Sequence, residues 1–200
     1  MVFLVFLVFL KSKVIKKFAE SFLISLSEEL KSKGKETKRT IIYSTSLERI
    51  GLYFESMGIL LKDMLQDDDE DLYGMYCSAT RDDVKVKYLK SLQEENGTLR
   101  VIFASSAFGM GVDAKGITTI IHDSCPESID EYVQETGRSG REGQKSNAIL
   151  LNKTSRFTNE KMKEYLQNKE CRRDFLLKHY GFDRIETDGD CCDNCSNKKK

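Results

Sequence analysis

The chain has little of several things. Its 200 residues include one proline and no tryptophan, and neither sign of charge is in excess: 32 lysines and arginines stand against 32 aspartates and glutamates. The scarcity of proline, with 40% apolar and 32% charged residues, excludes a collagen-like or disordered polymer and describes a globular chain. Without net charge, any affinity for nucleic acid must rest on a local patch. Long apolar runs are also missing. The longest, Met1 to Leu10, is half of what a helix needs to cross a bilayer. It reads M-VFL-VFL-VFL, with no basic residue before it and Lys11-Ser12-Lys13 where a cleavage site would follow, so a signal peptide is disfavoured. The reading sets residues 1–10 apart as a low-complexity, aggregation-prone start, with a buried strand as the alternative.

Cysteine is present but not spread like a disulfide framework. Cys77 and Cys125 are isolated, whereas Cys171, Cys191, Cys192 and Cys195 cluster at the C-terminus in a C-x19-C-C-x2-C pattern. A chain of this length forms a core without staples, so the expectation is a reducing compartment and a metal site in the tail. Four thiolates hold Zn²⁺ tetrahedrally at about 2.3 Å, which places the sulfurs about 3.8 Å apart. Consecutive Cα atoms are about as far apart, so Cys191 and Cys192 can serve one ion together. Free thiols on a frayed tail are the competing reading.

Between these ends, helical and strand patterns alternate. Phe18, Phe22, Leu23, Leu26 and Leu30 recur at helical spacing over residues 11–34, and Gly34 ends that helix. Thr40 to Tyr43 reads as a strand. Ser44-Thr45-Ser46 caps a helix to about Met57, stopped by Gly58. Residues 62–71 carry six acids and one lysine and read as an exposed loop. Strands follow at 72–77, 99–104, 117–122 and 147–151, and helices at 80–94, 128–137 and 155–168. The alternation predicts βαβ units and a parallel sheet covered on both faces, which binds ligands at the carboxyl ends of its strands.

Two segments carry candidate chemistry. After the strand ending at Ala104 come two hydroxyls, Ser105 and Ser106, and two glycines, Gly109 and Gly111, before Asp113. Glycines let backbone N–H groups approach a phosphate and hydroxyls can donate to it, though a glycine turn without ligand fits too. The second segment is Gln134-Glu-Thr-Gly-Arg138-Ser-Gly-Arg141. If the helix persists, Gln134, Arg138 and Arg141 share one face, opposite Ile129, Tyr132, Val133 and Thr136. Forked, permanently charged guanidinium groups among glycines suit a polyphosphate. A helix end with solvated arginines is the alternative.

Together these segments closely resemble the fifth and sixth motifs of RecQ-family DNA helicases, as Ala107-Phe-Gly-Met-Gly-Val-Asp113 and Gln134 to Arg141. Ile41-Ile-Tyr-Ser-Thr-Ser46 resembles the strand opening that family's second RecA-like domain, and Cys171 to Leu177 the entry to its zinc-binding subdomain. The resemblance covers about residues 40–195. It implies an α/β fold: a RecA-like parallel sheet over residues 11–153, of the kind found in P-loop nucleotide hydrolases, and a small helical zinc-binding subdomain over 154–200. It implies the C-terminal part of the core of an ATP-dependent 3′-to-5′ DNA helicase. Arg141 would reach across to the γ-phosphate, with Arg138 supporting it. Gln134, Asp113 and Gly111 would face the nucleotide, and Ser105 and Ser106 the DNA backbone.

Implied cofactors are structural Zn²⁺ on Cys171, Cys191, Cys192 and Cys195, and ATP with Mg²⁺. Implied partners are single-stranded DNA, duplex junctions and a first RecA-like domain. No membrane is implied, and the location would be nuclear, or cytoplasmic in a prokaryote. The usual family spacing, C-x2-C-x2-C, would require cysteine at Gly189, and the adjacent pair resembles the Werner-type branch instead. Tyr76-Cys77 stands where family members often carry Tyr-His. No Gly-x-x-x-x-Gly-Lys-Ser/Thr loop occurs: Glu36 follows Gly34-Lys35, and Glu29 stands where the first glycine should be. The expectation is therefore half of a motor, with a non-catalytic nucleic-acid-binding or interaction module as the alternative.

Overall fold

The computed structural model describes residues 3–8, 12–63, 71–109, 113–151, 154–184 and 191–198, with 3–8 and 12–19 as backbone only. The strands are β1 (Phe3–Val8), β2 (Arg39–Tyr43), β3 (Tyr73–Tyr76), β4 (Val101–Ala104), β5 (Ile117–His122) and β6 (Ser146–Leu151). The helices are α1 (Ser12–Lys33), α2 (Leu47–Leu61), α3 (Asp82–Gln93), α4 (Ile129–Thr136), α5 (Glu160–Gln167), α6 (Arg172–His179) and α7 (Asp193–Asn197). One sheet has the order β1-β6-β5-β2-β4-β3, and every pair is parallel.

Side chains alternate across the central strands, and both faces are covered. Ile42, Phe103 and Ile121 face Leu23, Leu26 and Leu30 of α1 and Ile50, Met57 and Leu61 of α2. Ile41, Tyr43, Ile102, Ala104 and Ile120 face Tyr88 and Leu92 of α3, with Phe108 and Ala114. Period-two alternation between two apolar faces is why these strands read as continuous apolar runs. Each fully buried large side chain contributes roughly 1.5–3 kcal/mol.

Several boundaries differ from the sequence reading. α2 continues through Gly58 to Leu61, because Met57 and Leu61, one turn apart, are both buried. Gly58 is a close approach rather than a stop: a Cβ there would lie 2.9 Å from the Tyr73 hydroxyl. The helix expected over 155–168 begins only at Glu160. Ser155 and Thr158 close a turn, Thr158 Oγ1 accepting from Ser155 N at 3.0 Å, and Asn159 Oδ1 caps α5 by accepting from Met162 N at 2.8 Å. Phe3–Val8 of the repetitive start pairs with β6 as an edge strand. Most of the acidic loop, residues 64–70, lies outside the described residues.

Arg39 shows what positions α3. It is buried, and its guanidinium donates to the carbonyls of Ser91, Leu92, Glu94, Gly97 and Lys115 at 2.7–3.1 Å. A fixed cation thus satisfies the open carbonyls at the C-terminus of α3, where the helix dipole favours positive charge.

Candidate nucleotide and zinc sites

The arginine segment begins where α4 ends. Ser128 caps the start of the helix, its Oγ accepting from Glu131 N at 3.1 Å. The other end stops at Thr136, where the Gly137 N–H donates to Val133 O at 2.8 Å. A Cβ at position 137 would lie 2.9 Å from that carbonyl oxygen. Gly140 then adopts φ +69° and donates to Ile117 O at 3.2 Å, while Gly116 N donates to the Glu142 carboxylate at 3.0 Å. The segment after α4 is therefore pinned beside the amino end of β5.

Termination at Gly137 corrects the single helix face expected for Gln134, Arg138 and Arg141. Gln134 is exposed on α4. Arg138 is turned inward, 3% exposed, with its guanidinium carbon 5.7 Å from the Phe108 ring centroid. Arg141 points outward. Its Nε donates to Gly137 O at 3.2 Å and a terminal nitrogen to Asp113 Oδ1 at 3.0 Å, the two side chains being 41% and 68% exposed. The structure thus brings Arg141 and Asp113 together and places Arg138 behind them. Arg141 and Asp113 lie near the amino end of β5, whereas Arg138 reaches Phe108 beyond the carboxyl end of β4. Gly111 lies outside the described residues.

Ser105 and Ser106 sit at the carboxyl end of β4, entering a short 3-10 turn over Ser106–Gly109. Ser105 Oγ accepts from Ala107 N at 3.3 Å, and Ser106 is exposed beside a small polar pocket lined also by Tyr43, Ser44, Thr45, Ser124, His122 and Glu135. Phe108 of the same turn carries Arg138 on its ring. The hydroxyl segment and the arginine segment are therefore in contact.

The tail cysteines converge. The sulfurs of Cys171, Cys191, Cys192 and Cys195 all lie within 4.8 Å of one another, with separations of 3.3 Å for Cys171–Cys191, 3.7 Å for Cys191–Cys195 and 3.5 Å for Cys192–Cys195. All six cysteines are free thiols. The separations approach the edge of a tetrahedral Zn–S4 site, about 3.8 Å, so the donor set fits zinc. Burial and the neighbouring thiols push the Cys195 thiol up, because one thiolate among others has no counter-charge. A divalent cation reverses that preference. His179 stacks edge-on against Tyr180 at 4.8 Å and does not join the cluster.

A buried arginine braces this cluster. Arg172 donates from Nε to Asp193 Oδ1 at 2.7 Å, from one terminal nitrogen to Asp193 Oδ2 at 3.1 Å and from the other to Tyr165 O at 2.9 Å. Its own backbone N–H donates to the Cys192 sulfur at 3.4 Å. The Cys171-Arg172 and Cys192-Asp193 steps are thus locked to each other and to α5. Tyr165 packs on Tyr132 at 5.5 Å between ring centroids, which carries the tail onto α4.

Comparison with known proteins is decisive at this point. Residues 21–143 match the model of the helicase conserved C-terminal domain, and residues 129–197 match that of the RecQ zinc-binding family. The chain belongs to the helicase conserved C-terminal domain family. It is the C-terminal region of a RecQ-type helicase core with its zinc-binding subdomain. It is 32% identical over 147 residues to the ATP-dependent DNA helicase RecQ of Bacillus subtilis, covering 62% of this chain and 24% of that protein. It is 34% identical over 130 residues to the RecQ-like DNA helicase BLM of Xenopus laevis, covering 50% of this chain and 10% of the relative. The chain therefore spans a quarter or less of these relatives. Among solved structures, the DUF1998 helicase MrfA bound to DNA superposes with a TM-score of 0.59 at 17% identity, over 81% of this chain and 23% of the other. Domain 2 of the DEAD-box helicase Mss116p, bound to an RNA duplex, gives 0.52 at 14% identity, over 83% and 68%. These likenesses establish the RecA-like fold.

Within this RecQ-type frame, sequence reasoning missed three groups. Arg172 was treated only as part of a motif. The Ser44-Thr45-Ser46 run reads from sequence as a cap and as the end of a family strand motif, yet only Ser46 caps α2, its Oγ accepting from Arg49 N at 3.3 Å. Ser44 Oγ instead donates to Asp123 Oδ2 at 3.1 Å, Thr45 N donates to Ser124 Oγ at 2.9 Å, and Arg49 pairs with the buried Asp123. The third group is Glu135 with His122, bonded at 2.8 Å between Glu135 Oε2 and His122 Nε2. Three hydroxyls ending β2, opposite Asp-Ser after β5, were the available signal for the second group. Among the described residues no helix is long and apolar enough to cross a membrane.

Proposed function

We propose that this chain is the second RecA-like half of an ATP-dependent DNA helicase moving 3′ to 5′, and that it completes a nucleotide cleft with a phosphate-loop half. The observation that carries the reading is the exposed Arg141–Asp113 pair backed by the buried Arg138. An exposed ion pair is worth only about 0–1 kcal/mol. A nucleotide phosphate can therefore replace Asp113 on Arg141 at little cost, releasing the carboxylate toward a ribose hydroxyl. Arg138 supports from behind, and Gln134 reaches the same cleft from α4. Ser105 and Ser106 offer hydroxyls to the DNA backbone. Binding of ATP with Mg²⁺ closes the two halves on each other, hydrolysis reopens them, and the contacts to DNA step along one strand. Zinc on Cys171, Cys191, Cys192 and Cys195 supplies a rigid cross-link and no chemistry of its own.

The test is ATP turnover with and without single-stranded DNA. The 200-residue chain alone should turn over negligibly, since it carries no phosphate loop. Joined to a RecQ-type phosphate-loop half, it should reach on the order of 1 s⁻¹ or more and unwind duplexes with a 3′ overhang. Turnover by the chain alone would overturn the reading. A joined protein that binds DNA without DNA-stimulated turnover would favour the non-catalytic module.

A further inference from the structure

Buried carboxylates are unfavourable unless paired. Among the described residues, the buried acidic side chains are Asp123 and Glu135. Asp123 has Arg49 and Ser44. Glu135 meets His122, which links the last turn of α4 to the last residue of β5. The imidazole lies flat on Tyr43, with ring centroids 5.3 Å apart and planes 14° apart, and tilted against Tyr132 at 5.2 Å. Its Nδ1 is buried with no hydrogen-bond partner among the described residues. Such an atom is better as a bare lone pair than as an unmet N–H, so Nε2 carries the proton and donates to the carboxylate.

Glu135 is thus the α4 partner that accepts this bond. Three residues on, Arg138 brings a buried positive charge to the same place. Both act on the Tyr43 hydroxyl, Glu135 pushing its pKa up and Arg138 drawing it down, beneath a larger upward push from burial. Phe108 closes the circle, 6.4 Å from the Tyr43 ring and 5.7 Å from the Arg138 guanidinium. The first backbone bonds after α4 run from Arg138 N to Glu135 O at 3.3 Å and from Ser139 N to Thr136 O at 3.1 Å. Wherever the last turn of α4 sits, the arginine segment follows.

We propose that Glu135, acting through His122, is a positioning residue that locks the last turn of α4 onto the end of β5 and thereby sets where Arg138 and Arg141 emerge. This rests on the reading that those arginines serve a nucleotide cleft. The bond, not the charge, does the positioning, because Glu135→Gln keeps an oxygen to accept from Nε2–H. Glu135→Ala removes the acceptor and leaves the turn free to rotate.

Two measurements test it. On the 200-residue chain, hydrogen exchange at the Gly140 amide, which donates to Ile117 O, reports whether the segment is held. Glu135→Ala should lower its protection about tenfold or more, with the β5 amides and zinc content unchanged, and Glu135→Gln should restore it. In the protein joined to a phosphate-loop half, Glu135→Ala should lower kcat about tenfold or more with the KM for ATP held within about threefold, and Glu135→Gln should recover most of the rate. Unchanged Gly140 protection, or an equal loss across β5, would overturn the proposal, as would a Gln variant as impaired as Ala. If neither Arg141→Ala nor Arg138→Ala in the joined protein lowers turnover, the cleft reading fails, while the exchange measurement still decides the positioning role. Should Glu135→Ala not fold, His122→Gln, which keeps a donor, and His122→Ala make the same comparison from the other side, and equal protection in the two would overturn it.

Discussion

The sheet and the tail are held by different physics. β2, β4 and β5 place apolar side chains on both faces, so their stabilisation is spread over many buried residues. The tail consists of helices of 8, 8 and 5 residues, and in α6 the one buried residue is Arg172, a cation. Helices this short are marginal without tertiary support. α5 buries Met162, Tyr165 and Leu166 against Ile129 and Tyr132, whereas α6 and α7 are tied down by four sulfurs and one bidentate ion pair. Damage to the sheet should therefore be graded, whereas damage to the tail should be close to all-or-none.

The largest test of that contrast is removal of the metal. Structural zinc supplies on the order of 10–16 kcal/mol of apparent binding energy in small peptides. Chelation should abolish amide protection in α6 and α7 while β2, β4 and β5 retain theirs, read by hydrogen exchange with elemental analysis of the starting protein. Less than one zinc per chain before chelation, or unchanged metal content in Cys195→Ser, would refute the assignment.

Next comes Arg141. On the proposed reading, in which its guanidinium meets the γ-phosphate, it is worth roughly 10³–10⁵ in turnover, or about 4–7 kcal/mol at 1.36 kcal/mol per tenfold. In the joined two-domain protein, Arg141→Ala should abolish turnover with nucleotide affinity nearly intact, since the contact strengthens in the transition state. Arg141→Lys should not rescue, lacking the fork. Turnover within about tenfold of the parent would transfer the role to Arg138. Neither variant should alter zinc content, because the bonds of Arg141 among the described residues go to Gly137 and Asp113, away from the tail's ion-pair brace.

Arg172 is third. Substituting one member of a buried ion pair costs about 3–5 kcal/mol, since the other charge is left unmet. Arg172→Met should leave Asp193 uncompensated between Cys192 and Cys195 and weaken zinc about 10–100-fold, measured by competition with a chromogenic chelator. The sheet's amides should be unaffected. An unchanged zinc affinity would mean that the sulfurs alone organise the tail.

The same division decides what was legible beforehand. Sheet elements follow from periodicity: the pattern gives Ile117–His122 its true bounds, and the Ser44-Thr45-Ser46 run contains the cap of α2, Ser46. The tail cysteines were legible from spacing. What escaped were polar residues turned inward. Arg39, Glu135 and Arg172 look like surface residues in any hydropathy pattern, and only their partners, far along the chain, make burial tolerable. Helix ends also escaped where tertiary contact overrode local signals. Gly58 did not stop α2 because Met57 and Leu61 are anchored on either side of it. Gly137 did end α4: its N–H makes the closing bond to Val133 O, and the chain then turns through Gly140 at φ +69°.

The smallest expected effect lies in the sheet, at Gly74 of the edge strand β3. A Cβ there would lie 2.6 and 2.7 Å from atoms of the Tyr88 ring, which packs α3 against the strand. Gly74→Ala forces that ring to shift, at about 1–3 kcal/mol of overpacking. Part of this is offset because alanine loses less backbone entropy than glycine on folding. The expected result is a melting temperature lower by a few degrees, about 2–4 °C per kcal/mol for a chain of this size. Zinc stoichiometry should stay at one, and chelation should still strip protection from the tail alone. Loss of zinc in Gly74→Ala would show that the two regions unfold as one cooperative unit, and the contrast between graded and all-or-none damage would fall with it.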